Sequence, residues 1–283
     1  MKNWFKFLIP LTVILSLNTN IGNSIVQLPD ENKISTQNVD RLQKIKEKGV
    51  LTILSSNNEP YSYKNPRTGE FSGIDADIIR EVAKRLGVNK VEARYTLFSN
   101  LFEDLVKSSD IDMIVDGITI TDERKRLVDF TIPIYDARDG ILTRKDTNIN
   151  SKDDLKNLII GVNKGEVYED IVKNWKEQGF IKNYLIFDNR DSLRIGLQNK
   201  TIDAILAAIT IEQNIVQKNP KSNFKILSPT QYKSEKVATV GYPLKKEDTT
   251  LLNAINEKLQ EMKNDGTLYQ ILTKYGIRDH YIP

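Results

Sequence analysis

Hydrophobic residues recur along the chain with two alternating spacings. Short apolar runs, such as VLTIL at 50–54, are followed by stretches in which apolar residues return every three or four positions. In DADIIREVAKRLG this second spacing places Ile78, Ile79 and Val82 on one helical face. Gly87 then ends the predicted helix. Short strands that alternate with amphipathic helices predict an α/β fold with a mainly parallel sheet covered on both faces.

The alternation of strands and helices stops and then starts again after residue 150. The extended segment DARDGILTRKD joins the two units, and a second one, EKVATVGYPLKK, precedes the last two helices. A chain that leaves one lobe, builds another and returns forms two α/β lobes joined by a two-strand hinge, with a ligand cleft between them. We therefore predict lobe 1 from residues 41–140 plus 243–283, and lobe 2 from residues 141–242.

The N-terminus predicts a targeting segment. After a short basic start, an eleven-residue apolar stretch runs from Phe7 to Leu17, which suits a secretory signal and is short for a membrane span. A buried helix of the fold is the weaker interpretation because Pro10 interrupts the run. We predict that residues 1–25 are a signal peptide or an uncleaved anchor, that residues 26–40 are a linker, and that the protein is exported to the periplasm or the extracellular face of the membrane.

Composition and charge exclude several classes of function. The net charge of the 283 residues is +3, and removing the two lysines of the N-terminal segment leaves 39 basic against 38 acidic residues. This balance gives no electrostatic footprint for nucleic acid or membrane lipid. With no cysteine and one histidine, His280, the chain lacks the residues for a His-based triad, a thiol nucleophile or a Cys/His zinc site. We expect no metal and no cofactor, and we interpret His280 as a tail residue without a role.

The stretch DGITITDER, residues 116–124, carries the candidate chemistry. Backbone amides past a strand end, beside a helix N-terminus, form an anion site. Gly117 would let the backbone approach a ligand closely, Thr119 adds a hydroxyl, and Arg124 can bind a carboxylate through two parallel hydrogen bonds. Thr121 is expected to cap the helix that follows. On these residues alone, a surface salt bridge between Arg124 and a neighbouring acid is the simpler interpretation.

Several motifs together resemble a known family. Their order and spacing are similar to those of the polar amino-acid-binding proteins of ABC importers, solute-binding protein family 3, from about Leu42 to Tyr275. The block GITITDER…DFTIPIY is the most specific part, and GIDAD, GVNKGEVYED and IDAILAA support it. The resemblance implies a periplasmic-binding-protein-like fold. It also implies a monomeric binding protein, rather than an enzyme, that delivers an amino acid or related small carboxylate to a membrane permease.

The resemblance assigns ligand contacts in the first lobe. It implies that Gly117, Thr119 and Arg124 clamp the carboxylate of the ligand. Phe98 matches an aromatic residue that packs on the ligand side chain, and plain core packing is the alternative for this ring.

In the second lobe the resemblance is less complete. Gly165 fits a turn whose backbone also meets the carboxylate. Glu166 and Val167, however, stand where the family has small hydroxyl residues. A carboxylate at Glu166 would oppose a ligand carboxylate or attract a cation.

A larger departure concerns the amino group of the ligand. The amino-binding aspartate of the family falls at Ala208, while Ser55 and Asn58 replace a further acid and an aromatic residue. A desolvated ammonium needs a paired anion. Either Asp116, Glu166 or another acid replaces the missing partner, or the ligand has no α-amino group. Asp116 is the first candidate, and a solvated position at the cleft edge is its alternative.

An enzyme on the same scaffold is the alternative function. Cyclohexadienyl dehydratases resemble this family and keep the arginine clamp while gaining a general acid. Glu235, in SEKVA, is the candidate proton donor, provided that burial raises its pKa. An exposed pair with a neighbouring lysine is the simpler interpretation.

Two other acids have structural interpretations. Asp75, in GIDAD, would cap the helix that follows it. Asp203, in TIDAI, would face the turn before its strand.

Overall fold

The computed structural model describes residues 40–283. The predicted signal or anchor (1–25) and all but the last residue of the predicted linker (26–40) lie outside the described residues. Within the described range, no helix combines the length and the apolar composition that a membrane crossing requires.

The first sheet has five strands and includes the six-residue strand β1 (Val50–Ser55), five residues of which are buried. Strand β1 pairs in parallel with β4 (Lys90–Tyr95) and with β5 (Met113–Ile114), whereas β13 (Pro243–Leu244) is antiparallel to β5 and to β6 (Asp129–Phe130). In spatial order the strands are β4 (Lys90–Tyr95), β1 (Val50–Ser55), β5 (Met113–Ile114), β13 (Pro243–Leu244) and β6 (Asp129–Phe130). A separate ribbon consists of β2 (Tyr63–Lys64) and β3 (Phe71–Ser72).

The second sheet is also mixed. Strand β8 (Ile159–Asn163) pairs in parallel with β9 (Asn183–Phe187) on one side and with β10 (Ala204–Ala208) on the other. Strand β7 (Tyr135–Arg144) lies antiparallel to β10 and to β11 (Phe224–Ile226). The spatial order is β11 (Phe224–Ile226), β7 (Tyr135–Arg144), β10 (Ala204–Ala208), β8 (Ile159–Asn163) and β9 (Asn183–Phe187), with β12 (Val237–Val240) paired to β7. The chain therefore forms two α/β lobes, each built on one of these sheets.

The helices form where the apolar periodicity predicts them. In the helix predicted from DADIIREVAKRLG, Ile78, Ile79 and Val82 are fully buried. The α-helices of residues 40–283 are α1 (Arg41–Lys48), α2 (Ile74–Arg85), α3 (Leu101–Lys107), α4 (Asp122–Leu127), α5 (Tyr168–Glu177), α6 (Arg190–Gln198), α7 (Ile209–Lys218), α8 (Thr249–Asn264) and α9 (Thr267–Lys274). Single 3₁₀ turns lie at Phe98–Asn100, Asp153–Leu155 and Arg278–His280.

The two extended segments pair with each other. Residues Val237 to Val240 of β12 lie antiparallel to Arg138 to Tyr135 of β7. The rest of β7 continues into the second sheet and pairs with β10. Strand β7 enters the second sheet at Asp139, which pairs with Ala208, one residue before the predicted lobe boundary at residue 140. The predicted boundaries of the two lobes remain a prediction.

His280 corrects one expectation. Its side chain is buried, and its Nδ1 atom lies 2.9 Å from the backbone oxygen of Asp136 in β7. The neighbouring Tyr281 forms an isolated antiparallel bridge with Tyr135. The interpretation of His280 as a residue without a role is wrong, because it fastens the C-terminal turn to the start of β7.

Candidate functional site

A small cavity of about 20 Å³ lies between residues of the two lobes. Seven of the nine residues assigned from the sequence line it, namely Phe98, Gly117, Thr119, Arg124, Glu166, Val167 and Ala208. Asp116 and Gly165 do not. The remaining lining residues are Asn58, Tyr61, Ala137, Tyr168, Arg190 and Ile211.

Arg124 reaches the cavity from the first turn of α4. Thr121 caps this helix, as predicted, because its hydroxyl accepts the backbone N–H of Arg124 at 3.2 Å. The guanidinium is buried and donates from Nη1 to the backbone oxygen of Thr119 at 2.8 Å and to its Oγ1 at 2.6 Å. From Nη2 it donates to the backbone oxygen of Gly165 in the second lobe at 2.9 Å. The interpretation of Arg124 as a surface ion pair is therefore wrong.

In its environment the guanidinium of Arg124 keeps its charge, and some of its N–H donors are not used. Burial lowers its pKa, but a guanidinium stays protonated in a protein. Its Cζ atom lies 5.9 Å from the ring centre of Phe98 and 5.2 Å from that of Phe102, within the range of cation–π attraction. The three bonds to Thr119 and Gly165 use three of the five N–H donors of an arginine. The other two have no partner among the described residues and remain for an anion.

Gly117 has a different purpose from the one predicted. Its φ is +66°, and a Cβ atom built there would lie 2.9 Å from the ring of Tyr61. The close approach that this glycine permits is thus to a protein ring. Its N–H donates to Oδ2 of Asp75 at 2.6 Å, so this amide is already used within the protein and is not available to a carboxylate.

Asp75 ties the loop at Gly117 to the hinge. Its Oδ1 accepts the hydroxyl of Tyr135 at 2.7 Å, at the start of β7, and the hydroxyl of Tyr242 at 3.0 Å, just after β12. The N-cap of α2 is Gly73, which makes no side-chain capping bond, so the capping interpretation of Asp75 is wrong. Burial raises the pKa of Asp75 to about 7, and its three hydrogen bonds oppose that rise.

Asp116 is buried away from the cavity. Its carboxylate accepts the hydroxyl of Ser55 at 2.8 Å, and the amide and hydroxyl of Ser56 at 3.0 and 2.6 Å. The solvated alternative is wrong because the side chain is fully buried. The first candidate for an amino partner does not fit the geometry either, because Asp116 does not line the cavity. Burial raises its pKa to about 8.

The second lobe contributes a cluster of buried charges. Glu166 is 6% exposed, and its Oε1 accepts from Nη2 of Arg190 and, at 3.2 Å, from the side-chain amide of Asn163. Nη1 of Arg190 lies 3.7 Å from Oε1 of Glu212. Burial raises the pKa of Glu166 and of Glu212, and the charge of Arg190 opposes both shifts. Glu166 Oε2, Arg190 Nη1 and Glu212 Oε2 are buried without a hydrogen-bond partner among the described residues.

Arg190 is the site residue that the sequence analysis missed. It is the first residue of α6, directly after Asn189, whose side chain accepts the N–H of Ser192 at 2.9 Å as the N-cap. Cations are unfavourable at a helix N-terminus because the helix dipole is positive there. An arginine at this position needs a nearby anion, and this need was the signal available in the sequence.

Gly165 lies where the two lobes touch. Its φ is +81°, and a Cβ atom would approach Cα of Ser99 in the first lobe to 3.2 Å. Its N–H donates to the carboxylate of Glu169, and its carbonyl accepts from Arg124. Gly165 therefore closes the site around Arg124 without lining the cavity itself.

Phe98 and Ala208 form apolar parts of the lining. Phe98 is 9% exposed and also packs in a core cluster with Leu101 and Leu105. The ring of Phe98 therefore both lines the cavity and packs in the core. Ala208 is the last residue of β10 and presents only a methyl group to the cavity.

The two remaining acids stay outside the cavity. Glu235 pairs with Lys152 rather than with a lysine next to it in sequence, and it does not line the cavity. Asp203 accepts the N–H of Ile159 at 2.9 Å, so its role is structural as predicted, although its partner is the first residue of β8 and not the turn before its own strand.

Comparison with known proteins connects this geometry to a family. The sequence pattern described as "Bacterial extracellular solute-binding proteins, family 3" matches residues 51–278. A probable histidine-binding protein of Campylobacter jejuni is 30% identical over 227 residues, which cover 78% of this chain and 82% of that protein.

Two solved structures share the fold over most of the chain. An ancestral arginine-binding protein bound to arginine has a TM-score of 0.71 at 32% identity, covering 80% of this chain and 98% of its own. An ancestral amino acid-binding protein, described as a precursor of cyclohexadienyl dehydratase, has a TM-score of 0.71 at 27% identity, covering 83% of this chain and 99% of its own.

Proposed function

The chain belongs to the bacterial extracellular solute-binding proteins of family 3, and from this premise we propose that it binds an amino acid or a related small carboxylate. It delivers this ligand to the membrane permease of an ABC importer. It works as a monomer, outside the cytoplasm, on the periplasmic or extracellular face of the membrane. The amino-acid-binding names of its relatives support this proposal.

The observation that carries the proposal is the position of Arg124. A buried guanidinium lines the cavity, is held in place by Thr119 and Gly165, and retains two unused donors. Such a group binds a carboxylate through charge-assisted hydrogen bonds. Because it also donates across the cleft, the same side chain joins ligand capture to the closure of the lobes.

We further propose that the protein is a binding protein and not an enzyme. The dehydratase alternative needs a proton donor in the cavity, and Glu235 lies outside the lining in a pair with Lys152. Incubation of the purified protein with prephenate or arogenate is expected to yield no aromatic product. Formation of such a product at a catalytic rate would overturn this part of the proposal.

A thermal-shift screen of amino acids, keto acids and opines tests the proposal. A ligand that binds only the folded protein raises the melting midpoint. Arg124→Ala is expected to abolish the shift for every compound that stabilises the wild-type protein. Arg126→Ala, an exposed arginine in the same helix, is the control and should keep the shifts. Full stabilisation of Arg124→Ala by a carboxylate would remove the assignment of the clamp.

A further inference from the structure

The carboxylate that lines the cavity is Glu166, and it does not lie at the end of β10, where an amino-binding acid was expected. Ala208 leaves no charge at the end of β10 where the sequence analysis located the missing amino-binding aspartate. Asp116 is buried behind the loop and bonded to two serines. Among the residues of the described chain that line the cavity, Glu166 is the only carboxylate.

Glu166 is incompletely bonded. Oε1 is occupied by Arg190 and Asn163, whereas Oε2 is buried without a hydrogen-bond partner among the described residues. A carboxylate that loses water without gaining a donor loses a large amount of hydration free energy. An ammonium group in the cavity would supply both the missing donors and the opposite charge.

The two lobes offer opposite charges to the two ends of a zwitterion. Among the described residues, Arg124 donates to Thr119 and Gly165 and to no carboxylate, so a ligand carboxylate would be its counter-ion. Glu166 pairs with Arg190 through Oε1 alone, which leaves Oε2 for a cationic group of the ligand.

We infer that Glu166 accepts the α-ammonium of the ligand, and that the ligand is therefore a zwitterionic amino acid rather than a simple carboxylate. This inference rests on the proposed function, in which Arg124 holds the carboxylate. In this arrangement Arg190 is a positioning residue, because it occupies one oxygen of Glu166 and so leaves the other for the ligand.

The test compares amino acids with analogues that lack only the amino group. The probes are L-histidine with 3-(imidazol-4-yl)propanoate, L-arginine with 5-guanidinopentanoate, and L-glutamine with 4-carbamoylbutanoate, titrated calorimetrically into wild-type protein and Glu166→Gln. Wild-type protein should bind the amino acid of a recognised pair at least about tenfold more tightly, as expected for a buried charge-assisted bond. In Glu166→Gln the amino acid should weaken by about the same factor, while the analogue binds unchanged or more tightly.

Binding of the analogue serves as the internal control for folding and for the clamp. Glu235→Gln, a partly exposed acid of the second lobe outside the cavity, should keep the wild-type preference. Equal binding of both members of a pair by wild-type protein, a preference that survives in Glu166→Gln, or a parallel loss of both members in that variant would each overturn the inference. If none of the three pairs binds, the same comparison is made with the amino acid that gives the largest shift in the thermal-shift screen. A screen in which no compound raises the melting midpoint would overturn the proposed function, and the inference with it.

Discussion

The two walls of the cavity differ in the charge of the polar atoms that the protein leaves without a partner. Among the described lining residues of the first lobe, only the neutral Oδ1 of Asn58 is buried without one. On the first-lobe wall, the N–H of Gly117 is bonded to Asp75, and Arg124 is bonded to Thr119 and across the cleft to Gly165. On the second-lobe wall, the charged residues Glu166 and Arg190 each keep a buried polar atom without a partner among the described residues, as does Glu212 beside Arg190.

This difference separates two tasks of the site. The first wall is a preorganised receptor for a group that many small nutrients share, so its geometry carries little information about which one binds. The second wall holds opposite charges whose hydrogen bonds are incomplete until something else supplies them. Ligand identity is therefore determined mainly by the second wall, and three experiments examine the contrast, from the largest expected effect to the smallest.

Removing Arg190 should disrupt the second wall most strongly. Arg190→Met leaves the carboxylates of Glu166 and Glu212 buried without a counter-ion, and we expect the free energy of unfolding to fall by about 3–5 kcal/mol. Urea denaturation measures the change. Arg126→Met, at an exposed position, should change it by less than about 0.5 kcal/mol. If Arg190→Met unfolds at the wild-type urea concentration, the three charges do not form a coupled cluster.

Asp75, which holds the loop of the first-lobe wall at Gly117, should make the stability of the protein depend on pH. Since burial raises the pKa of Asp75 to about 7, the folded protein keeps a proton that the unfolded chain has already released, and stability falls as pH rises toward that value. From about pH 5 to about pH 7, wild-type protein should lose on the order of 2 kcal/mol relative to Asp75→Asn, which cannot ionise there.

Denaturant unfolding at several pH values measures this difference. Asp203→Asn, which changes a partly exposed acid, should keep the wild-type slope. Parallel stability curves for wild-type protein and Asp75→Asn would show that Asp75 is not the group responsible. Asp116 is also buried with a raised pKa, so only the difference between the two curves reports on Asp75.

The smallest effect concerns the contact between the walls. Gly165→Ala places a methyl group about 3.2 Å from Cα of Ser99 across the cleft, and we expect ligand affinity to fall roughly tenfold, or about 1.4 kcal/mol, through faster dissociation. Gly179→Ala is a matched control, because Gly179 also has a positive φ (+68°) but no atom within 4 Å of the added Cβ. Both variants should lose similar stability from backbone strain, so an equal loss of affinity in both would contradict the role of the contact.

What the sequence predicted well was encoded locally. Thr121 lies three residues before Arg124, and a cap followed by a helix start is a short-range pattern. The strands and helices of both lobes likewise follow from apolar spacing within each segment. These features do not depend on knowing which distant segments meet.

What the sequence could not predict depends on distant partners. Asp75 bonds to Gly117, 42 residues away, and to Tyr135 and Tyr242, 60 and 167 residues away. Nothing near GIDAD indicates these three donors, so a local cap was the natural interpretation. The pairing of Glu166 with Arg190 likewise exists only because β8 and β9 are neighbours in the sheet.

The misplacement of Asp116 has a more specific cause. Asp116 and Gly117 lie past the end of β5, where the chain bends and Gly117 has a φ of +66°. This turn presents Gly117 to the cavity, whereas the carboxylate of Asp116 is bonded to Ser55, the last residue of β1, and to Ser56. Proximity in sequence to the clamp was therefore a poor guide to proximity in space.

The ladder between β7 and β12 has a mechanical consequence. Because the two connections run side by side with matched register from Val237↔Arg138 to Val240↔Tyr135, sliding one past the other would break every rung at once. Bending or twisting the pair as a unit breaks none. We therefore expect the two lobes to open by a hinge rotation in which β7 and β12 bend together, about an axis that passes close to this pair of strands.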